Sequence, residues 1–197
     1  MTNEIILFDT EFTSWEGAQE RNWSGENEYK EIIQVGAVKM DLNSGAVTET
    51  LNISIKPTLN PILSDYIKDL TGITQEEVDN GLNLQTATLK FLHFCSGNPV
   101  FSWGRDIDVV NEDLSLKNLP TIPDENFFNL RDWLVPRYPE FEKANSGSLA
   151  RLHNLDGLIN GKEHDAIYDC LSQQVVLSED LKTYKDKQDF RAKFNLN

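Results

Sequence analysis

Apolar positions come in short runs at the start of the chain and at helical spacing further along. Residues 4–9 (EIILFD) hold four successive apolar residues closed by a carboxylate, which reads as a buried strand. Residues 31–40 (EIIQVGAVKM) and roughly 47–55 (VTETLNISI) read as a second and third strand. Asn43, Ser44 and Gly45 between them make a turn, so these three strands form an antiparallel meander. Residues 13–30 are polar, carry Gly17 and Gly25, are interrupted by Trp15 and Trp23, and read as a loop. Pro61 suits the first turn of a helix reaching about Leu70, with Gly72 as its stop. Thr74 followed by Glu77 fits a capping box that opens a short helix to Val78. Apolar residues from Leu84 to Cys95 predict a helix ended by Gly97, and 99–102 a fourth strand. Helices follow over 106–116 and 131–137, the second stopped by Pro139, with a fifth strand over 127–130. Ser148 is expected to cap a helix over SLARLHNL. A last helix starts near Asp165 and passes Leu177, its buried stripe being Ile167, Cys170, Leu171 and Val175. This order predicts an α/β fold, a central five-stranded mixed sheet flanked by helices. Residues 1–183 read as one domain and 184–197 as a charged, partly ordered tail.

The chain has 197 residues, 39% hydrophobic and 25% charged, enough for one domain with a sizeable core. The first apolar run, Ile5 to Phe8, is too short for a secretory leader or a membrane span, so a soluble, cytoplasmic protein without a membrane partner is expected. Cys95 and Cys170 lack CxxC spacing, which argues against zinc, and read as two buried thiols. The net charge of −14 argues against a protein that grips long duplexes. It leaves room for one that handles a chain end, where bound cations supply the positive charge and the protein must be acidic to hold them.

Three short segments carry candidate chemistry. Asp9 and Glu11 stand two apart at the end of the first strand, so their side chains share a face. Such a pair repels unless something positive lies between, and hard divalent cations take oxygen ligands of this kind. Ser102-Trp103-Gly104-Arg105-Asp106-Ile107-Asp108 follows the fourth strand, at the strand end where open α/β sheets place ligands. In Gly161-Lys162-Glu163-His164-Asp165-Ala166-Ile167-Tyr168-Asp169, five residues separate His164 from Asp169, about 500° around a helix. The two converge only if His164 lies in the loop ahead of the helix and Asp169 in its second turn. Each segment alone has an ordinary explanation: a solvated strand end, helix capping by Asp106 or Asp165, a surface histidine.

Together they form a pattern. DTE after the first strand, an aspartate after a WG loop and HDAxxD near the C-terminus resemble the three motifs of the DEDDh exonucleases, the DnaQ-like group of the RNase H-like superfamily. EIIQVGAVKM looks like that family's second strand, and KPTLNPILSDYIKDLTGITQEEVDNG is similar to a stretch of its KapD/ERI-like branch. The resemblance covers roughly residues 4–178. It implies a 3′–5′ exonuclease that cuts single-stranded DNA or RNA 3′ ends to nucleoside 5′-monophosphates. Asp9, Glu11 and Asp169 would be metal ligands for two Mg²⁺ or Mn²⁺ ions, and His164 the general base. The fourth acid is Asp106 or Asp108. Asp106 fits better because Val109 and Val110 then hold the apolar places at +3 and +4. Thr10 and Phe12 would lie by the terminal nucleotide, with Leu70 to Ile73 wedged against its base. Trp15 and Trp23 offer rings for stacking or pack within their own loop, an insert in which the chain departs from the family pattern. An oligoribonuclease or RNA 3′-end trimmer fits the same motifs. A catalytically silent binding module would be expected to lack one of the five residues. No protein partner is predicted, and DNA against RNA stays open.

Overall fold

The computed structural model describes residues 3–196. Five strands form one mixed sheet in the order β3-β2-β1-β4-β5. β1 (Glu4–Phe12), β2 (Ile32–Asp41) and β3 (Val47–Ser54) make the antiparallel meander, while β4 (Val100–Ser102) runs parallel to β1 and β5 (Phe127–Asn129) parallel to β4. β1 is central and covered on both faces, which is why its apolar run is continuous rather than alternating. Ile5 and Leu7 point into one core cluster, Ile6 and Phe8 into the other.

Eight α-helices surround the sheet among the described residues. α3 (Leu84–Cys95) and α4 (Asp106–Leu116) cover the face of Ile6 and Phe8. α5 (Arg131–Leu134), α6 (Ser148–Leu152), α7 (Ala166–Asp180) and α8 (Tyr184–Lys193) cover the face of Ile5 and Leu7. α1 (Asp65–Thr71) and α2 (Gln75–Asp79) close a smaller cluster around Ile33, Leu63, Ile67 and Val78. A buried ionic triad ties α4 to the sheet. Lys117, just past α4, sits 2.9 Å from Glu31 and 2.7 Å from Asp113, both carboxylates fully buried. Glu31 also accepts the backbone N–H groups of Thr58 (2.7 Å) and Leu59 (3.0 Å), fixing the loop ahead of α1.

Several elements differ from the sequence reading for local reasons. α1 begins at Asp65 instead of Pro61, because the Ser64 side chain accepts the Ile67 N–H and caps it there. α5 stops at Leu134, since Pro136 has no N–H to continue the turn, and a short 3₁₀ turn follows over Pro139–Lys143. Ser148 is the first residue of α6 and not its cap; Asn145 Oδ1 accepts its N–H at 2.8 Å. α7 buries Cys170, Gln173, Val176 and Leu177, with Ile167, Leu171 and Val175 only half-buried, a stripe rotated from the expected one. Residues 184–197, expected as a tail, carry α8. Its Phe190, followed one turn later by Phe194, packs on Phe101, with ring centroids 5.3 and 4.9 Å away.

Candidate active site

Asp9 and Glu11 continue the face of Ile5 and Leu7, the face on which α7 lies. Opposite Asp9 in β2 stands Gly36, and a Cβ there would come within 2.5 Å of the Ala166 carbonyl carbon. The first turn of α7 therefore rests directly on the sheet backbone. Ala166 N–H donates to Gln34 Oε1 at 3.1 Å, and the Cys170 thiol donates to the Gly36 carbonyl at 3.3 Å. Asp165 caps the helix by accepting the Ile167 N–H at 2.9 Å. With α7 starting at Ala166, Asp169 falls in its first turn instead of its second. It is thereby carried to the end of β1.

His164 occupies the loop ahead of α7 with φ 66°, and its backbone N–H donates to Asp169 Oδ1 at 3.2 Å. That bond closes the five-residue span and turns the imidazole toward the carboxylates. One ligand atom each from Glu11, His164 and Asp169 lie within 4.8 Å of one another. Asp106, at the start of α4, lines the same pocket, whereas Asp108 is exposed and held by Arg105 at 2.8 and 3.0 Å.

The pocket has a volume of about 450 Å³. Asp9, Thr10, Glu11, Phe12, Asp106, His164 and Asp169 all line it, as do Leu70 and Trp23. Trp15 is half-buried and outside the lining. Ile73 is a correction: it is buried with Leu63, Ile67 and Val78 behind α1, so it supports the wall and offers the pocket no surface. Trp103 packs edge-on against Phe141 and donates its indole N–H to the Ala144 carbonyl at 2.8 Å. Two residues with no chemical signature in the sequence also shape the site. Ser146 Oγ donates to Asp169 Oδ2 at 2.8 Å, and at Gly147 a Cβ would come within 2.3 Å of Asp169 Oδ1.

Acids dominate the electrostatics, although Arg131 lines the pocket and Lys162 opposes the rise at Glu11. Burial first, and then the neighbouring acids, push the Asp9 and Glu11 carboxyls well above their ordinary range. The same causes push Asp106 up to about 8. Burial raises Asp169 to about 7, against the opposing hydrogen bonds from Ser146 and the His164 N–H. Burial lowers His164. None of the four acids forms an ion pair with a lysine, arginine or histidine within 4.0 Å among the described residues, and Asp106 Oδ2 is buried without a partner. An all-oxygen set crowded in this way, with a buried orphan acceptor, fits hard divalent cations.

The exonuclease family RNase T matches residues 6–173. The chain belongs to that family. Its relatives include Snipper, a 3′–5′ exonuclease of Drosophila melanogaster, 37% identical over 87 residues that make up 44% of this chain and 30% of Snipper. KapD of Bacillus subtilis, a probable 3′–5′ exonuclease, is 29% identical over 122 residues, 60% of this chain and 57% of KapD. ERI1 exoribonuclease 2 of Xenopus laevis is 32% identical over 87 residues, 44% of this chain and 12% of its own length. The chain thus spans well under two thirds of these relatives. Among solved structures, the nuclease domain of 3′hExo, a DEDDh family member bound to rAMP, superposes with a TM-score of 0.76 over 91% of this chain and 92% of that one, at 19% identity. Cell-death related nuclease 4 gives 0.74 over 90% and 63%, at 20% identity. These likenesses establish the RNase H-like exonuclease fold.

Proposed function

We propose that the chain is a metal-dependent 3′–5′ exonuclease that releases nucleoside 5′-monophosphates from single-stranded 3′ ends. The observation that carries this reading is the cluster of four carboxylates in one pocket, none of them in an ion pair with a lysine or arginine among the described residues, with His164 beside them. Asp9, Glu11, Asp106 and Asp169 would hold two Mg²⁺ or Mn²⁺ ions, which when bound neutralise charge on the attacking and leaving oxygens of an in-line displacement. His164 accepts the proton of the attacking water. Burial lowers its pKa, which keeps the imidazole neutral and able to accept at physiological pH. Its loop contains Gly161 at φ 127°, a conformation that glycine adopts freely, which suits a base placed only when substrate is present. Ser146 and the His164 N–H keep Asp169 aimed at the pocket. Phe12 and Leu70 give the terminal nucleotide an apolar wall. RNA is the favoured polymer, because the ERI1 relative is named an exoribonuclease.

The test uses 5′-labelled single-stranded RNA and DNA with Mg²⁺, Mn²⁺ or EDTA. A metal-dependent ladder shortening from the 3′ end supports the reading, and faster loss of the RNA supports the preference. Internal cuts, or an Asp9→Ala protein as fast as wild type, would falsify it. His164→Ala is expected to slow turnover by roughly 10²–10⁴ while cation affinity is retained. Lost cation affinity in that variant would make the histidine a ligand instead of a base.

A further inference from the structure

Residues 13–30 build a second pocket that shares a wall with the catalytic one. Its volume is about 490 Å³, within the range of sites that take small organic ligands. Asn22, Asn27, Tyr29, Lys30 and Glu112 line it, and Trp23 lines both pockets. The Trp23 ring packs against Phe12 of the catalytic pocket, centroids 5.7 Å apart, and Lys30 Nζ stands 5.3 Å from its centre.

Trp23 is held in place at a cost. Its backbone has φ 49°, flanked by Asn22 at 52°, and its indole N–H is buried without a partner. A bulky residue in the left-handed region with an unpaired donor is not placed by its own local preferences. Such costs concentrate where a surface is built for use. The loop is also fastened: Trp23 N–H donates to the Ala18 carbonyl at 2.8 Å, Thr13 Oγ1 to the Tyr29 carbonyl at 2.6 Å, and Asn60 Nδ2 to the Asn27 carbonyl at 2.9 Å. The pocket is preformed.

Its chemistry selects among the parts of a nucleotide. The cation on this surface, Lys30, is 2.6 Å from Glu112, and Arg21 of the same loop is paired with Glu28, so neither is free to hold a phosphate. Glu28 and Glu112, the acidic members of those pairs, also line the pocket, and its uncharged part is aromatic surface beside two carboxamides, able to stack on a base and bond its edge.

We propose that this second pocket holds the base of a nucleotide upstream of the one being cleaved, with Trp23 as the partition between the two bases. The proposal rests on the exonuclease reading of the catalytic pocket, and the test separates them. Two substrates are compared: the 4-nitrophenyl ester of uridine 5′-monophosphate, which carries only the cleaved nucleotide, and ribotrinucleotides, intact or abasic at either upstream position. Hydrolysis of the ester transfers the phosphoryl group to water and releases 4-nitrophenolate, so it reports the catalytic pocket alone. Because Trp23 faces both pockets, the separating variant is Asn22→Gly/Asn27→Gly, which deletes both carboxamides at backbone angles glycine accepts. For wild type, loss of the base at one upstream position should lower kcat/KM about tenfold, the low end of a base-stacking contribution. In the double variant that penalty should shrink, and the ratio of trinucleotide to ester kcat/KM should fall. Equal wild-type rates on intact and both abasic trinucleotides, with the ester cut, would overturn the second pocket and leave the first standing. If neither the ester nor the trinucleotides are cut, both readings fall. The abasic comparison needs no variant, so misfolding of the double mutant cannot obscure the result.

Discussion

Asp169 is the residue whose surroundings are most closely specified. Ser146 donates to one carboxylate oxygen, the His164 N–H to the other, and Gly147 leaves room for the oxygen that the His164 N–H reaches. Removing the Ser146 hydroxyl takes away a hydrogen bond that favours the charged form. A bond to a charged group contributes about 1.5 kcal/mol, so Ser146→Ala should weaken Mn²⁺ binding roughly tenfold by titration calorimetry. Unchanged affinity would show that the bond does not hold the ligand form. At Gly147 an added methyl would occupy the space of the Asp169 oxygen, and displacement by about 1 Å typically costs on the order of 10² in rate. Gly147→Ala should therefore lose turnover without losing its folded circular dichroism spectrum. The meeting of the acids and His164 in one pocket was expected from the resemblance of their three motifs taken together, since each motif alone has an ordinary explanation. Ser146 and Gly147 were not. Small polar residues say nothing alone, and these meet Asp169 only after the 3₁₀ turn and α6 have folded under α7. Ile73 was misplaced for a related reason: resemblance locates a segment but not the direction of each side chain in it.

Between elements, two contacts decide whether these residues meet. The first is α7 against Gly36. Gly36→Ala would drive a Cβ into the Ala166 backbone, which has no flexible end to move aside. Overpacking of this kind costs about 1–3 kcal/mol. The expected result is a lower urea midpoint together with slower turnover, since Asp169 moves with the helix. A fall in stability with wild-type kcat would show that α7 is not what positions the acid. The second is the Lys117 triad. Lys117→Met leaves Glu31 and Asp113 buried without their shared cation, a loss of about 3–5 kcal/mol. A midpoint within error of wild type would mean that the backbone N–H groups at Thr58 and Leu59 suffice for Glu31. Element bounds were legible where a side chain writes the start, as with Thr74 before α2 and Asp165 before α7. They were missed where two signals compete. Pro61 announces a helix that Ser64 begins, and Arg131 opens one that Pro136 stops after four residues. Glu31 was visible as a motif residue, yet its bonds to the loop over 58–60 depend on contacts about thirty positions away.

For the molecule as a whole, the meander of the first three strands and the mixed character of the sheet followed from the sequence, because the turn at Asn43 to Gly45 and the alternation of later strands with helices allow few alternatives, while the order of strands across the sheet came from the structure. The packing of α8 did not follow. Its segment is dominated by charge, and Phe190, Phe194 and Leu196 are its members of the core cluster among the described residues. The net charge of −14 acquires a local meaning in the fold, since four acids are gathered in a pocket where Arg131 of the lining and the more distant Lys162 offset only part of their charge. That has a consequence for stability against pH. In the unfolded chain these carboxyls titrate near 4. Folded and without cations, Asp106 titrates at about 8 and Asp169 at about 7, with Asp9 and Glu11 also raised. A raised folded pKa means that the folded state binds more protons, so its stability is full below about 4 and is lost as pH climbs through the folded values. Glu31 and Asp41 are held below their ordinary range, so they are ionised in folded and unfolded chains alike from neutral pH upward and add no slope there. The lowered His164 would act in the opposite sense only at more acidic pH. In EDTA, Tm should therefore drop between about pH 6.5 and about pH 8.5. Mg²⁺ or Mn²⁺ binds the deprotonated acids and opposes their repulsion, so the rise in Tm on adding cation should be larger at the alkaline end. Asp9→Asn/Asp169→Asn removes two of the charges and should flatten both trends. An equal cation-induced rise at the two pH values in wild type would mean that the ions bind elsewhere, and the four acids would need another explanation.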